Sequence, residues 1–167
     1  MSEPFEIIIG PQNTQIKVFL LRREHIDRVH ALELASYPDA WSKELFLPEI
    51  NNKTGKFFVF FINEELMGYA GYWIGGEEAH ITKFTVAPEY RRKGFGTLFM
   101  NFIFEQVRKE HAQKIVLEVR EMNYPARRLY EKMGFQSIGI RFGYYAKTRE
   151  NAVVMMLPLD NPSEQEM

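Results

Sequence analysis

A mixed α/β sheet with helices on both faces is the fold this sequence predicts. Three observations carry that prediction. Phe57–Ile62, Leu66–Ile74 and His80–Val86 are strand-like runs joined by the short turns Asn63-Glu64-Glu65 and Gly75-Gly76, which suit antiparallel neighbours. His80–Val86, the amphipathic run Thr97–Glu110 and Lys114–Val119 then read as strand, helix, strand, which calls for a right-handed parallel crossover. Inside that crossover lies Arg91–Gly96 (RRKGFG), a basic, glycine-bearing turn that opens a helix.

The elements follow in order. Val18–Leu21 reads as a short strand. Glu24–Ala35 reads as a helix, with Ile26, Val29 and Leu32 on one face. A second short helix starts at Trp41-Ser42, with Ser42 as its N-cap. Phe57–Ile62 (FFVFFI) is unbroken in its apolarity, so it belongs in a strand buried on both faces. The helix from Thr97 turns Leu98, Phe99, Phe102, Ile103 and Val107 inward. Asn123–Met133 is the last helix, with Ala126, Leu129, Tyr130 and Met133 at helical spacing and Gly134 as its stop. Phe135–Tyr145 and Ala152–Leu157 close the chain as a strand pair. The glycines do not make G-x-G-x-x-G, which excludes a Rossmann site, and no Gly-Lys-Ser/Thr makes a P-loop.

Composition narrows the function. The 167 residues suit one domain, and 46% hydrophobic with 26% charged content is ordinary for a globular protein. A net charge of −1 gives no general attraction to nucleic acid or anionic membrane, so an anion site must be local. With no cysteine, thiolate nucleophiles, disulfides and zinc-thiolate sites are excluded, and a reducing, cytoplasmic setting is consistent. The opening MSEPFEIIIGPQN carries two glutamates and only a short apolar run, unlike a signal peptide. No run approaches a membrane span of about 18 apolar residues. The histidines His25, His30, His80 and His111 lack metal-ligand spacing, so no metal is expected. The last eight residues form a polar, acidic tail.

Two places carry chemistry. The first is Arg91–Gly96. The first amides of a helix have no partner within it, and the helix dipole adds positive charge there, so the turn suits phosphate. Gly94 and Gly96 let an anion approach the backbone, and Arg91, Arg92 and Lys93 add cations. A bulky residue at either glycine should block that approach while the domain stays folded. The second is Ile115–Arg120 (IVLEVR), where Glu118 interrupts an apolar strand. It reads either as a carboxylate turned to solvent or paired with Arg120 or a neighbour, or as a general base at the end of a parallel strand. Tyr130 reads either as a core residue at helical spacing or as a phenolic proton donor at the rim of a cleft. Asn123 reads as an N-cap or as an amide offered to a ligand.

Phe84–Phe135 resembles the acetyl-CoA core of the GCN5-related N-acetyltransferases, whose R-x-x-G-x-G signature falls on Arg91, Gly94 and Gly96. Within that family, L-E-V-R, Asn123 and L-Y-E-K-M-G-F at these spacings resemble the ribosomal-protein-alanine N-acetyltransferase branch. Tyr37–Ser42 is similar to that branch's P-W-S segment, with Ala40 where proline is usual. Arg141–Tyr145 and Glu150–Ala152 are similar to its Y-Y and E-D-A elements, with Asn151 in place of Asp. The resemblance spans about residues 16–159, leaving 1–15 as an N-terminal extension and 160–167 as a tail.

The resemblance implies an acyl-CoA N-acyltransferase fold, with a mostly antiparallel sheet and one parallel β-α-β at the coenzyme site. Two strands should splay, His80–Val86 and Lys114–Val119, and admit the pantetheine arm of acetyl-CoA. Backbone groups of Phe84, Thr85 and Val86 should pair with that arm. Pyrophosphate should lie on the amides of Arg91, Arg92, Lys93, Gly94, Phe95 and Gly96, with Thr97 next in the turn. Asn123 and Tyr130 should touch the coenzyme. Glu118 matches the family's proton acceptor and Tyr130 its donor to the leaving thiolate. An α-amine of pKa about 7.7–8.0 must lose a proton to attack, which a carboxylate can take. Tyr37, Trp41, Tyr144 and Tyr145 read either as a frame for the acceptor or as aromatics of core and rim; the branch implies that the acceptor is a protein N-terminus, such as that of a ribosomal protein. Two alternatives stand beside this: an acetyltransferase for lysine or a small amine such as a polyamine or aminoglycoside, and a non-catalytic acetyl-CoA-binding module. Retention of Glu118, Tyr130 and the whole Arg91–Gly96 turn argues against the last.

Overall fold

The computed structural model describes residues 3–159; the acidic tail lies outside the described residues. One eight-stranded sheet organises them. Its strands are β1 (Glu6–Ile9), β2 (Gln15–Leu20), β3 (Gly55–Ile62), β4 (Glu65–Gly75), β5 (Glu78–Val86), β6 (Lys114–Arg120), β7 (Gln136–Arg141) and β8 (Ala152–Pro158). The helices are α1 (Ile26–Ser36), α2 (Lys43–Phe46), α3 (Phe95–Lys109) and α4 (Tyr124–Lys132). Strand order is 1-2-3-4-5-6-8-7, antiparallel everywhere except between β5 and β6.

β3 shows why both faces are covered. Successive side chains of a strand point to opposite faces, and here each face meets a helical layer. Phe58 and Phe60 pack with Phe99, Phe102 and Ile103 of α3, the rings of Phe60 and Phe99 stacking at 4.0 Å. Phe57, Val59 and Phe61 pack with Ile26 and Val29 of α1 and Phe46 of α2. Full burial of each such ring contributes roughly 1.5–3 kcal/mol by area removed from water.

Some boundaries differ from the sequence reading. Residues 1–15, set apart above as an extension, supply β1, which pairs with β2 from Glu6 opposite Val18 to Ile9 opposite Gln15. Its four residues are too short a run to announce a strand without its partner. The helix expected from Thr97 begins at Phe95, because Gly94 at φ +89° is its N-cap and the Phe95 side chain turns into the core. The strand expected to reach Tyr145 stops at Arg141. Gly143 turns at φ +61° and donates its N–H to Asn151 Oδ1 at 2.9 Å, so Tyr144 and Tyr145 sit in a loop.

The feature that positions the site is a fork. β5 and β6 pair only from Glu78 opposite Lys114 to His80 opposite Val116. Beyond His80 the β4–β5 register slips, with Tyr72 opposite Ile81 and Gly71 opposite Lys83. Thr82 is the extra residue, and such bulges bend and twist a strand. β6 meanwhile stays paired to β8 along its whole length. The two strands expected to splay therefore part just past His80.

Candidate active site

The open edge of β5 is made of backbone. Ala87 N donates to Met67 O at 2.7 Å, across toward β4. Alternation along an antiparallel ladder sends the N–H and C=O of Thr85 the same way and turns those of Phe84 and Val86 toward the fork. Two side-chain bonds agree: Tyr37 Oη donates to Phe84 O at 3.3 Å and Arg91 Nε to Val86 O at 2.8 Å. Of the three residues expected to present backbone groups, Phe84 and Val86 do so at the open edge. Thr85 is buried, and its hydroxyl bonds Tyr37 Oη at 2.6 Å.

The turn after β5 continues this edge. Leu98 N is bonded to Gly94 O at 3.2 Å, so the amides of Phe95, Gly96 and Thr97 precede the first helical bond. Arg91, Arg92, Lys93 and Gly94 are exposed around them. Nothing would meet a Cβ at Gly94, whose need for glycine is its positive φ. Gly96 has a different reason: a Cβ there would stand 3.1 Å from Leu129 Cδ2 of α4. A bulky residue at Gly96 thus perturbs packing, so the expectation of an undisturbed fold does not carry over to that position.

α4 delivers Tyr130. Asn123 caps it, Oδ1 accepting from Ala126 N at 3.4 Å. At the other end Gly134 N bonds Glu131 O at 3.0 Å and Phe135 N bonds Tyr130 O at 2.9 Å, a Schellman stop with Gly134 at φ +105°. Its hydrophobic contact is the Tyr130–Phe135 ring pair at 5.7 Å, which pins the tyrosine. Tyr130 is 7% exposed, and its hydroxyl makes no hydrogen bond among the described residues. Burial pushes its pKa up, so it keeps its proton at neutral pH.

Glu118 lines the same cleft as Tyr130, a space of about 580 Å³. Its side chain is 9% exposed. It does not pair with Arg120; His80 Nε2 lies 2.5 Å from Glu118 Oε2, and Arg141 Nε 3.8 Å from Oε1. Arg120 instead bridges Asp39 and Glu150, each at 3.1 Å, with its guanidinium 3.8 Å over the Tyr145 ring. That ties the Tyr37–Ser42 segment to the loop before β8. Tyr37, Trp41, Tyr144 and Tyr145 all line the cleft. Burial pushes the Tyr145 pKa up to about 12, and also raises that of Tyr144.

Three polar residues of the site were not singled out from sequence. His80 faces Glu118, and Lys83 bonds Glu33, which is wholly buried in α1. The only signal was polarity within apolar periodicity, as at Glu118 itself. Among the described residues, no group of three or more His, Cys, Asp or Glu is placed to hold a metal, and no helix is long and apolar enough to cross a membrane.

Residues 26–135 match the Acetyltransferase (GNAT) family. The chain belongs to that family. It is an acyltransferase, and its relatives are N-acetyltransferases. A Bacillus subtilis (strain 168) protein provisionally named a ribosomal protein bS18-alanine N-acetyltransferase is 34% identical over 148 residues, 88% of this chain and 98% of the relative. The ribosomal protein bS18-alanine N-acetyltransferase of Haemophilus influenzae is 33% identical over 135 residues, covering 77% and 89%. The crystal structure of the ribosomal-protein-S18-alanine N-acetyltransferase of Escherichia coli is similar in fold, with a TM-score of 0.78, 26% identity, and 87% and 94% coverage. This GNAT-fold likeness accords with the mixed sheet and single parallel pair described above.

Proposed function

We propose that this N-acetyltransferase uses acetyl-CoA to acetylate the N-terminal α-amine of a protein, of the ribosomal-protein-alanine type. The observation that carries the reading is the placement of Glu118 and Tyr130 on one cleft at the fork of β5 and β6. The names of the bacterial relatives, which specify alanine of ribosomal protein bS18, support the acceptor class. Structures of the same fold, Arabidopsis thaliana NAA60 and the NatC complex, hold acetyl-CoA and CoA respectively, which supports the co-substrate.

The chain's own groups fit that co-substrate. The Phe84 and Val86 amides face the fork and suit the amide groups of the pantetheine arm. The amides of Phe95, Gly96 and Thr97, with Arg91, Arg92, Lys93 and Gly94 around them, suit pyrophosphate. Asn123 lines the cleft of Glu118 and Tyr130 but spends its Oδ1 on the α4 cap. Acetyl-CoA would supply the thioester carbonyl, and the Val86 N–H would polarise it.

In the proposed transfer Glu118 takes a proton from the acceptor amine, directly or through water, as the new C–N bond forms. His80 holds the carboxylate toward the fork. Tyr130, kept protonated by burial, gives its proton to the sulfur as the C–S bond breaks. Trp41, Tyr144, Tyr145 and the ring of Tyr37 frame the peptide; the Tyr37 hydroxyl is already committed to Phe84 and Thr85. A turnover assay with acetyl-CoA and free-N-terminal peptides, against N-blocked lysine peptides and polyamines, tests the acceptor. Faster acetylation of the latter two would replace this acceptor class with a lysine or small-amine one.

A further inference from the structure

Lys83 projects from β5 just past the bulge, and no step above uses it. Its Nζ lies 4.6 Å from the Trp41 ring centroid and 4.9 Å from that of Tyr37. Both rings are walls of the cleft. Behind the ammonium stands Glu33, with a side chain 0% exposed. Glu33 Oε2 accepts from Lys83 Nζ and, at 2.9 Å, from Trp41 N; Oε1 accepts from Tyr69 Oη at 2.6 Å. The protein's own lysine therefore fills a cage of two aromatic faces with a carboxylate at its base.

A cage of that composition is a site for ammonium. Aromatic faces attract cations more strongly where water is scarce, and a buried carboxylate without its partner is strongly unfavourable. Left empty beside an amine-acetylating centre, it would draw acceptors carrying a second positive charge. Lys83 prevents this in two ways. It occupies the space, and its charge is presented first: the Lys83 side chain is 13% exposed to the cleft while Glu33 lies wholly behind it.

We infer that Lys83 is a specificity-determining residue that fills a cation cage and turns the cleft against acceptors with a second cation near the attacking amine. The disfavoured class is polyamines and peptides with a basic residue next to the N-terminus. The favoured acceptor rests on the N-terminal reading above; the cage does not.

Two measurements on the whole chain test the inference. In the first, thermal unfolding of wild type and Lys83→Ala is followed in methylammonium chloride and in sodium chloride at equal ionic strength. Methylammonium should raise the Tm of Lys83→Ala above its value in sodium, and leave wild type unmoved. Equal Tm in both salts overturns the cage. In the second, kcat/KM is compared for two free-N-terminal peptides that differ only in alanine or lysine at the second position. The lysine-to-alanine ratio should rise at least about tenfold in Lys83→Ala, the factor that 1.4 kcal/mol supplies, through KM rather than kcat. An unchanged ratio overturns the specificity role. If neither peptide is acetylated by any variant, the N-terminal reading fails while the methylammonium result still decides the cage. Should Lys83→Ala fail to fold, Lys83→Met with Glu33→Gln removes both charges together, which buried pairs tolerate better than losing one. That double variant should also raise the ratio by lifting the repulsion, and an unchanged ratio in it overturns the inference.

Discussion

The two sides of the fork are built from different materials. On the side proposed for the coenzyme, the groups on offer are backbone: the open edge of β5 at Phe84 and Val86 and the first amides of α3. On the side proposed for the acceptor, they are side chains drawn from far apart in sequence. His80 meets Glu118 across 38 residues, Lys83 meets Glu33 across 50, and Arg120 meets Asp39 across 81. The first side needs only a strand, a turn and a helix in the right order. The second needs the whole sheet to be assembled before any of its pairs exist. Substitutions should therefore separate cleanly into those that weaken acetyl-CoA binding and those that change acceptor handling.

The largest effect expected is on the acceptor side. Glu118→Gln keeps the shape and removes the proposed base, and should lower turnover about 10²- to 10⁴-fold with acetyl-CoA affinity unchanged by calorimetry. The loss should shrink at high pH, where more of the amine is already neutral. Wild-type turnover in that variant would remove Glu118 from proton transfer and blur the contrast between the two sides.

Arg120→Ala should come next. It strands Asp39 and Glu150 and unstacks Tyr145, so both cleft walls lose their tie. Stability should fall by about 3 kcal/mol, as for breaking a largely buried pair. Peptide KM should rise while acetyl-CoA affinity holds. A variant in which the peptide KM stays put and coenzyme binding weakens would mean that the two sides are not separable.

Gly94→Ala probes the other side. The added Cβ meets nothing, but φ +89° costs an L-residue about 1–2 kcal/mol, so the turn should relax and acetyl-CoA bind more weakly. Peptide KM should be unaffected. Gly96→Ala sharpens the comparison, because its Cβ presses on Leu129; its loss should show in Tm as well as in affinity.

The smallest effect lies outside the fork. His25 is buried, accepts the Arg22 N–H on Nδ1 at 3.0 Å, and has a pKa lowered from 6.5 chiefly by burial. Below pH 6.5 the unfolded chain takes up this proton before the folded one, so stability should fall as pH drops from there toward the folded pKa. Denaturant midpoints of wild type and His25→Gln should converge on acidification; parallel curves would assign the acid sensitivity to other groups.

These differences also mark what was legible in the sequence. The FFVFFI strand, the Arg91–Gly96 turn and the Asn123…Gly134 caps announce themselves through local rules of periodicity and φ; the strand and the caps stand where those rules put them, while the last two residues of the turn already open α3. Glu118 stood out as a carboxylate in an apolar strand, but its partner did not: Arg120 was close in sequence, and His80 is close in space. The bulge at Thr82, which opens the fork, leaves no local mark in HITKF. Nothing local marks Glu33 among the residues of its helix, and only Tyr69, Trp41 and Lys83 converging on it explain its burial. β1 is visible only once β2 gives it an edge.

Acceptor class is decided by which amine sits before Glu118. The direct measurement is acetylation, by mass, of one peptide sequence with an N-terminal alanine and an internal lysine, prepared with its α-amine free and with it blocked. We predict a single acetyl group at the α-amine of the free peptide and none on the blocked one. Acetylation of the lysine in the blocked peptide, at a rate equal to or above that of the free α-amine, would contradict the central claim.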